Sequence, residues 1–304
     1  MKISVIIPCY NCSSNITKLL NGFPDGLEFE FILINDGSTD DTQYVIEQYI
    51  SVSSKDISLL NIKNVGAAQA RTVGLKKSSG DYIFFCDSDD AVYSENIKFY
   101  LNLIKSEKPD LLYFSSVMYL PNDNVTINKV SFNENIYFSN SDEFLVYQLR
   151  SEQYTSAVWT YIFNRDVLIN SNAKFTIRNA HEDHFFTLSL ISNSKKIFCC
   201  PKLLYIQNVT PGSLTNSIKS KVYLLSRLEA FVESLSLLNK DKFRLSRKLY
   251  SKWSLDAFLQ LCKENKKSSL SVFTCLTFYK IMINNIKLIS VYMMSKLISS
   301  LRTL

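Results

Sequence analysis

The sequence predicts an α/β fold, in which a mainly parallel sheet flanked by helices is followed by a helical C-terminal region. Three observations carry this. Short, β-branched apolar runs alternate with segments of helical periodicity through the first hundred residues, the pattern of successive βα units. Each run ends in turn-forming or acidic residues, and beyond residue 219 helical patterns take over with a strong basic excess.

Residues 3–7 (ISVII) and 30–34 (EFILI) read as buried strands, closed by Pro8 with Asn11 and by Asn35-Asp36-Gly37. Helical patterns cover 14–22 and 40–50. A strand lies near 57–61, a helix near 66–78 and a strand at 81–86. Leu111–Met118 form another strand, an irregular aromatic stretch runs to about 155, and helices are expected at 183–193 and from 219 onward. There is no internal repeat or low-complexity linker. A division into an α/β domain at 1–218 and a basic helical region at 219–304 therefore rests on "TPGSLTNS" and on a shift in charge.

The net charge of +6 over 304 residues conceals that shift. Residues 219–304 hold 16 basic and 5 acidic side chains, against 18 and 23 in residues 1–218. Sign alone leaves nucleic acid, anionic lipid and ordinary packing open for the basic part. The start "MKISVIIPCYN" has a short apolar stretch and no small-residue cleavage site, so a cytoplasmic protein is expected. Seven cysteines, at 9, 12, 86, 199, 200, 262 and 275, lack zinc-ribbon spacing and suit reduced thiols.

In an open parallel sheet, ligands sit outside the carboxyl ends of the strands, where loops meet helix N-termini. The unusual residues fall there: Pro8-Cys9-Tyr10-Asn11, then "NDGSTDD" from Asn35, then Asp87-Ser88-Asp89-Asp90. "NDGSTDD" also reads as a plain turn into a capped helix. The "DSDD" run is harder to explain so simply, because carboxylates crowded at a strand mouth need a cation, a basic partner or free solvation. A hard divalent ion, Mg²⁺ or Mn²⁺, shared with a diphosphate answers that need. "NVGAAQARTVG" (64–74) has too few glycines for a dinucleotide fingerprint and lacks the Lys-Ser/Thr of a P-loop.

Taken together, "VIIPCYN", "LINDGSTDDT", "NVGAAQARTVGL" and "GDYIFFCDSDD" resemble, in order, the motifs of family 2 glycosyltransferases, whose catalytic domain has the Rossmann-type GT-A fold. The likeness continues through "VWTYIFNRDVLINSNAKF", "HEDHFFTLSLI" and "KIFCCPKLLYIQNVTPGSLT", which look like the acceptor-side half of bacterial members that build surface polysaccharides, and it ends near residue 218. Asn35 stands where an Asp is frequent, and Cys86 where an apolar residue is usual.

The resemblance implies an inverting, metal-dependent transfer from a nucleotide sugar, UDP-linked, to a hydroxyl of a growing glycan of O-antigen, capsule or teichoic-acid type. Asp36 is then expected to bind the uracil edge, Pro8 and Tyr10 to shape the base and ribose pocket, and Asn64 and Arg71 to reach the nucleotide or sugar. Asp87, Ser88 and Asp89 form the D-x-D, with Asp87 and Asp89 near ribose and metal and Asp89 as direct ligand of Mn²⁺ or Mg²⁺. Asp183 is expected to be the general base, and Glu182, His184 and Trp159 to stand on the acceptor side. No nucleic acid is expected as a partner.

A sugar nucleotidyltransferase would want a glycine-rich basic loop after the first strand, which "PCYNCSSN" is not. A non-catalytic glycan- or nucleotide-binding module would be expected to lose the D-x-D or the base. "HEDH" suggests zinc at first sight, but its histidines stand at i, i+3 and the chain has no third. Trp159 and Tyr161 fit a sugar-stacking role and a core role equally. Residues 271–304 lack an apolar run long enough to span a bilayer. They read as an amphipathic helix, with Lys280, Asn284, Lys287, Ser295, Ser299 and Arg302 opposite Met282, Ile286, Ile289, Met293, Leu297 and Leu301. Such a helix suits either packing or an anionic membrane surface near a lipid-diphosphate-linked acceptor.

Overall fold

The computed structural model describes residues 1–272, apart from 27, 122, 179, 210–218, 240, 266–267 and 269–270. The chain opens with the βα alternation expected: β1 (Ile3–Cys9), α1 (Ile16–Asn21), β2 (Phe29–Asp36), α2 (Thr42–Val52), β3 (Asp56–Ile62), α3 (Ala67–Lys77) and β4 (Tyr82–Phe85). β5 (Ala91–Val92), α4 (Ser94–Glu107), β6 (Leu111–Leu120), β7 (Val125–Val130), β8 (Ile136–Phe138) and α5 (Ser141–Arg150) follow. After a 3₁₀ turn at Val158–Thr160 come β9 (Tyr161–Asn164), α6 (Arg165–Asn170), α7 (Asp183–Asn193), β10 (Ile197–Asn208), α8 (Lys221–Leu237) and α9 (Arg244–Glu264).

The strands lie in the order β3-β2-β1-β4-β9-β6-β10-β5, with β7 beside β6 and β8 beside β10. β1 pairs parallel with both β2 and β4, and β2 parallel with β3. The sheet grows one way through β2 and β3, then returns across β1 to β4. The loops after β1 and β4 therefore diverge, leaving a crevice at the carboxyl ends of the central strands. Beyond β4 the sheet is mixed, because β9 inserts antiparallel between β4 and β6, while β6 and β10 are parallel.

Alternation along the strands builds two cores, one on each face. Ile3, Val5 and Ile7 of β1 face α1, α2 and α4 through Leu19, Ile46, Ile97 and Tyr100. Ile6 points the other way, with Ile34, Ile83 and Phe85, toward α3, α5 and α7. Gly74 seats α3 on that face, since a Cβ there would lie 2.4 Å from Ile6 Cγ2. The far end of the sheet is closed by Glu30, which accepts hydrogen bonds from Ser79 N (2.6 Å) and Gly80 N (2.9 Å) and pairs with Lys2 (3.0 Å).

Several elements were unforeseen, the short β5, β9 and α6, and the longer α4 and twelve-residue β10. The stretch read as irregular before residue 155 contains β7, β8 and α5. α8 and α9 fit the expected helical region, and Leu228, Phe231, Tyr250 and Phe258 share one core with Phe144 of α5 and Phe186 of α7. Among the described residues no helix is long and apolar enough to cross a membrane. The basic amphipathic helix expected over 271–304 lies, beyond Val272, outside the described residues.

Candidate active site

The loops at the carboxyl ends of β1, β2 and β4 enclose a cleft of about 530 Å³, within the range of small-ligand sites. It is lined by Pro8, Tyr10, Asp36, Arg71 and Asp87-Ser88-Asp89 of the expected set, and also by Cys9, Asn11, Cys12, Asn15 and Ala67. Pro8 stands beyond the last β1–β4 pair, Ile6 with Phe85, so its missing N–H costs no ladder bond on that side. Tyr10 is 50% exposed, presenting its ring at the mouth.

The first two loops are stitched together. Asn11 adopts a left-handed φ of 48°, which asparagine tolerates, and its side chain accepts a hydrogen bond from Thr39 N (2.8 Å) while its own N–H donates to Ser38 Oγ (3.0 Å). Asp40 receives Ser13 Oγ (2.7 Å) and Thr42 Oγ1 (2.6 Å). Burial alone would raise the Asp40 carboxyl, but these donors outweigh it and hold the group at about 2.

Asp36, at the end of β2, is buried, and its two oxygens accept from Val65 N (2.7 Å) and Gly66 N (2.8 Å). Each oxygen keeps a lone pair, so a base edge can still be read. Gly37 makes this closure possible: its φ is +69°, and a Cβ would fall 2.7 Å from Asn64 N. Asn64 itself is exposed and is not among the residues lining the cleft.

The D-x-D loop is braced from behind by β10. Tyr205 Oη accepts from Asp87 N (2.9 Å) and donates to Asp90 Oδ2 (2.7 Å). Asn208 adds N–H to Asp90 Oδ1 (2.8 Å) and Nδ2 to the Asp89 carbonyl (2.6 Å). Burial, with Asp87 beside it, pushes the Asp90 carboxyl well above the usual carboxylate range. Asp90 is thus turned inward as a structural group, and Asp87 and Asp89 line the cleft. Tyr205→Phe should remove the acceptor of Asp87 N and a partner of buried Asp90, costing about 1–3 kcal/mol. A thermal melt showing no loss of stability in that variant would overturn the bracing role.

Two hard carboxylates on a cleft with room for a diphosphate fit Mg²⁺ or Mn²⁺ by the chemistry of their donor atoms. Arg71 occupies one oxygen of the pair, donating to Asp87 Oδ1 at 2.5 Å from a nearly buried guanidinium. Arg71 lines the cleft, and its other arm lies 3.8 Å from Glu182 Oε1. Burial works against its charge, and Asp87, Glu182 and Asp183 outweigh burial.

Asp183 opens α7, with Glu182 at the N-cap and His181 in the left-handed region at φ 62°. Burial first, then the Glu182 charge, push the Asp183 carboxyl up to about 7, against the pull of Arg71 and a hydrogen bond with Ser156. That value suits a proton acceptor working near neutrality. The neighbouring histidines stay neutral: burial and the Arg227 charge bring His181 down to about 3 and His184 well below its usual value. Among the described residues no group of three or more His, Cys, Asp or Glu is arranged to hold a metal.

Two residues expected on the acceptor side have buried side chains. His184 is buried against Arg227 of α8, whose guanidinium lies 4.8 Å over the Trp253 ring. Trp159 stacks on Tyr205 with ring centroids 4.8 Å apart and an interplanar angle of 14°, so its face backs the D-x-D loop. Of the pair Trp159 and Tyr161, both are core, Tyr161 hydrogen-bonding Thr187 Oγ1 at 2.8 Å.

The model of the family described as "Glycosyl transferase family 2" matches residues 4–169, more than half of the chain. The chain belongs to this family. Among relatives of this family 2 glycosyltransferase, the glycosyltransferase YibD of Escherichia coli (strain K12) is 26% identical over 208 residues, 67% of the chain and 60% of YibD. TarS of Staphylococcus aureus (strain Mu50), a poly(ribitol-phosphate) β-N-acetylglucosaminyltransferase, is 37% identical over 117 residues, 37% of the chain and 20% of TarS. The chain thus spans less than two thirds of these relatives. The structure of TarS residues 1–349 in complex with UDP-GlcNAc superposes with a TM-score of 0.69 at 22% identity, covering 96% of the chain and 83% of that structure. A mannosyltransferase from Pyrobaculum calidifontis, solved with GDP-Man and Mn²⁺, gives 0.57 at 13% identity, covering 98% and 84%. At these identities the structural likeness speaks for the fold, which is of GT-A type.

Proposed function

We propose that this family 2 glycosyltransferase is an inverting enzyme that moves a sugar from a UDP-linked donor to a hydroxyl of a bacterial surface glycan, with a divalent cation held by Asp87 and Asp89. The observation that carries the reading is the Arg71 bridge. Arg71, which lines the cleft, pairs with the D-x-D carboxylate Asp87 and lies 3.8 Å from Glu182, the residue before the candidate base, which supports placing donor-side charges and base near one another although Glu182 and Asp183 are not among the residues that line the cleft.

The division of labour follows from the residues. The cleft loops bind the nucleotide, Asp36 offering acceptors to the base edge and Tyr10 an aromatic face. Mn²⁺ or Mg²⁺, when bound, neutralises the diphosphate that must leave. Asp183 takes the proton of the acceptor hydroxyl as that oxygen forms its bond to the anomeric carbon and the carbon–diphosphate bond breaks. One displacement from the face opposite the leaving group inverts the centre. Arg71 keeps the Asp183 carboxyl from rising further and holds Asp87 in place.

The UDP-GlcNAc complex of TarS and its activity on poly(ribitol phosphate) favour a UDP-sugar and a polymeric, polyol-phosphate or lipid-diphosphate-linked acceptor. A cytoplasmic enzyme meeting its acceptor at the inner membrane face agrees with this reading. Screening a panel of nucleotide sugars for cation-dependent hydrolysis, then for transfer to poly-ol-phosphate and lipid-linked acceptors, tests it. A UDP-sugar should be turned over, with transferred product of inverted anomeric configuration. Retention of configuration, or turnover of no nucleotide sugar, would sink the proposal.

A further inference from the structure

Asp183 is reached through a turn whose shape is held from outside α7. The carbonyl of Glu182, in the peptide that leads into Asp183, accepts from Thr176 N (3.3 Å) and from Thr176 Oγ1 (3.4 Å). That hydroxyl in turn accepts from Arg178 Nη1 at 2.7 Å. The other two guanidinium nitrogens turn to α8, where Nε lies 3.5 Å from Glu229 Oε2 and Nη2 donates to Glu233 Oε2. A continuous relay of polar contacts thus runs from α8 through Arg178 and Thr176 to the backbone of the candidate base.

We infer that Arg178 is a positioning residue for Asp183, and that through it α8 is a working part of the active site. The inference rests on the reading of Asp183 as the general base. Three further observations agree with it. His181, two residues before Asp183, has a left-handed φ of 62°, a conformation that a non-glycine residue keeps only where its surroundings hold it. Its ring packs on Tyr223 of α8, with centroids 4.6 Å apart, and His184, on the other side of the base, meets Arg227 of the same helix. The grip of α8 therefore reaches both neighbours of the Glu182–Asp183 peptide, and Arg178 carries it to the peptide itself.

Arginine suits the task, because its planar fork serves Thr176, Glu229 and Glu233 at once, which the single ammonium of a lysine cannot do. Glu229 and Glu233 stand one helical turn apart, so both carboxylates reach one guanidinium. The Arg178 side chain is 13% exposed, so water and salt compete with these contacts less than at an open surface. Glu182 is held at two points, its carboxylate near Arg71 and its carbonyl by Thr176. A general base must stand within hydrogen-bond reach of the hydroxyl it serves, and a displacement of about 1 Å costs on the order of 10²-fold in rate. Thr176, Arg178, Glu229 and Glu233 do not line the nucleotide cleft, so their loss should reach the chemical step and spare UDP binding.

The test uses the full chain and its variants Arg178→Met, Thr176→Val and Thr176→Ser. UDP affinity is measured by calorimetry with Mn²⁺. Turnover is read as UDP released, with water as acceptor, from whichever nucleotide sugar of the panel the unaltered chain hydrolyses fastest. Arg178→Met should lower kcat about tenfold or more and leave UDP affinity within about twofold. Thr176→Val, which removes the hydroxyl and keeps the shape, should also lower kcat, and Thr176→Ser should keep it. Arg178→Met combined with Thr176→Val should be no slower than the slower of the two, since both cut the same relay. If Arg178→Met does not fold, Glu229→Gln with Glu233→Gln decides in its place, through the same loss of kcat at unchanged UDP affinity.

An unchanged kcat in these variants, or a kcat that falls together with UDP affinity, overturns the inference. Additive losses in the combined variant would separate Thr176 from Arg178 and overturn the relay. If Asp183→Asn is slow while Arg178→Met keeps full rate, the base stands and the positioning role alone is lost. Asp183→Asn at full rate, or an unaltered chain that hydrolyses no nucleotide sugar, overturns the functional reading and the inference with it, so the two failures are distinguishable.

Discussion

Asp183→Asn is expected to lower kcat by about 10²–10⁴-fold while UDP affinity stays within a few-fold of its original value, the signature of a lost general base. The amide matches the carboxylate in shape and cannot accept the proton. In the unaltered enzyme kcat/KM should rise with pH through an acid limb near 7, where the Asp183 carboxyl ionises, and level off above it. The residual rate of the variant should lack that limb.

Stability supplies a second, independent sign. A carboxyl whose folded value lies near 7, against about 4 in an unfolded chain, binds its proton more tightly when folded. Ionising it therefore costs the fold, and the loss develops as pH rises from about 4 to about 7. Asp183→Asn should melt higher than the unaltered chain at pH 8 and no higher at pH 4. A variant that loses UDP affinity together with rate would place Asp183 on the donor side and remove it as the base.

Much of the fold was legible because its central strands are buried on both faces and read as unbroken β-branched runs, ISVII and EFILI. The helix at 183–193 appears at those bounds. α4 was passed over although Ile97, Tyr100, Leu101 and Ile104 keep helical spacing and all face the core. β10 was obscured by Pro201 and Lys202 in its middle. Its register shifts between Cys200 and Leu203, an irregularity that accommodates the proline and that no local pattern announces.

The site was legible where chemistry is concentrated in short loops and illegible where it depends on distant chain. The D-x-D and the Glu182–Asp183 pair stand out by charge at the ends of apolar elements. Tyr205, 118 residues from Asp87, gives no local sign that it braces that loop. His184 follows Asp183 by one position, but consecutive helix side chains point about 100° apart, so neighbours in sequence meet different surroundings. Its ring enters the core against Arg227, while Asp183 borders Arg71. Arg71 lines the cleft, but its partner Asp87 was not legible, since an ion pair across 16 residues is set by how α3 packs on β1 and β2.

Asp89→Ala is expected to abolish the divalent-cation dependence and to cut transfer by about 10²-fold or more, the scale seen when a preorganised charge is removed from a transition state. The neighbouring carboxylates cannot take over the role. Asp87 already gives one oxygen to Arg71, and Asp90 is turned into the core, where Tyr205 and Asn208 occupy both of its oxygens. UDP affinity should weaken in the variant, and excess chelator should bring the unaltered enzyme to the same low rate. Asp183→Asn, by contrast, should keep its cation-dependent UDP binding, so calorimetry with and without Mn²⁺ separates the donor carboxylate from the base. Full activity of the unaltered enzyme in excess chelator would rule out a cation at the D-x-D and return Asp89 to a plain donor-binding role.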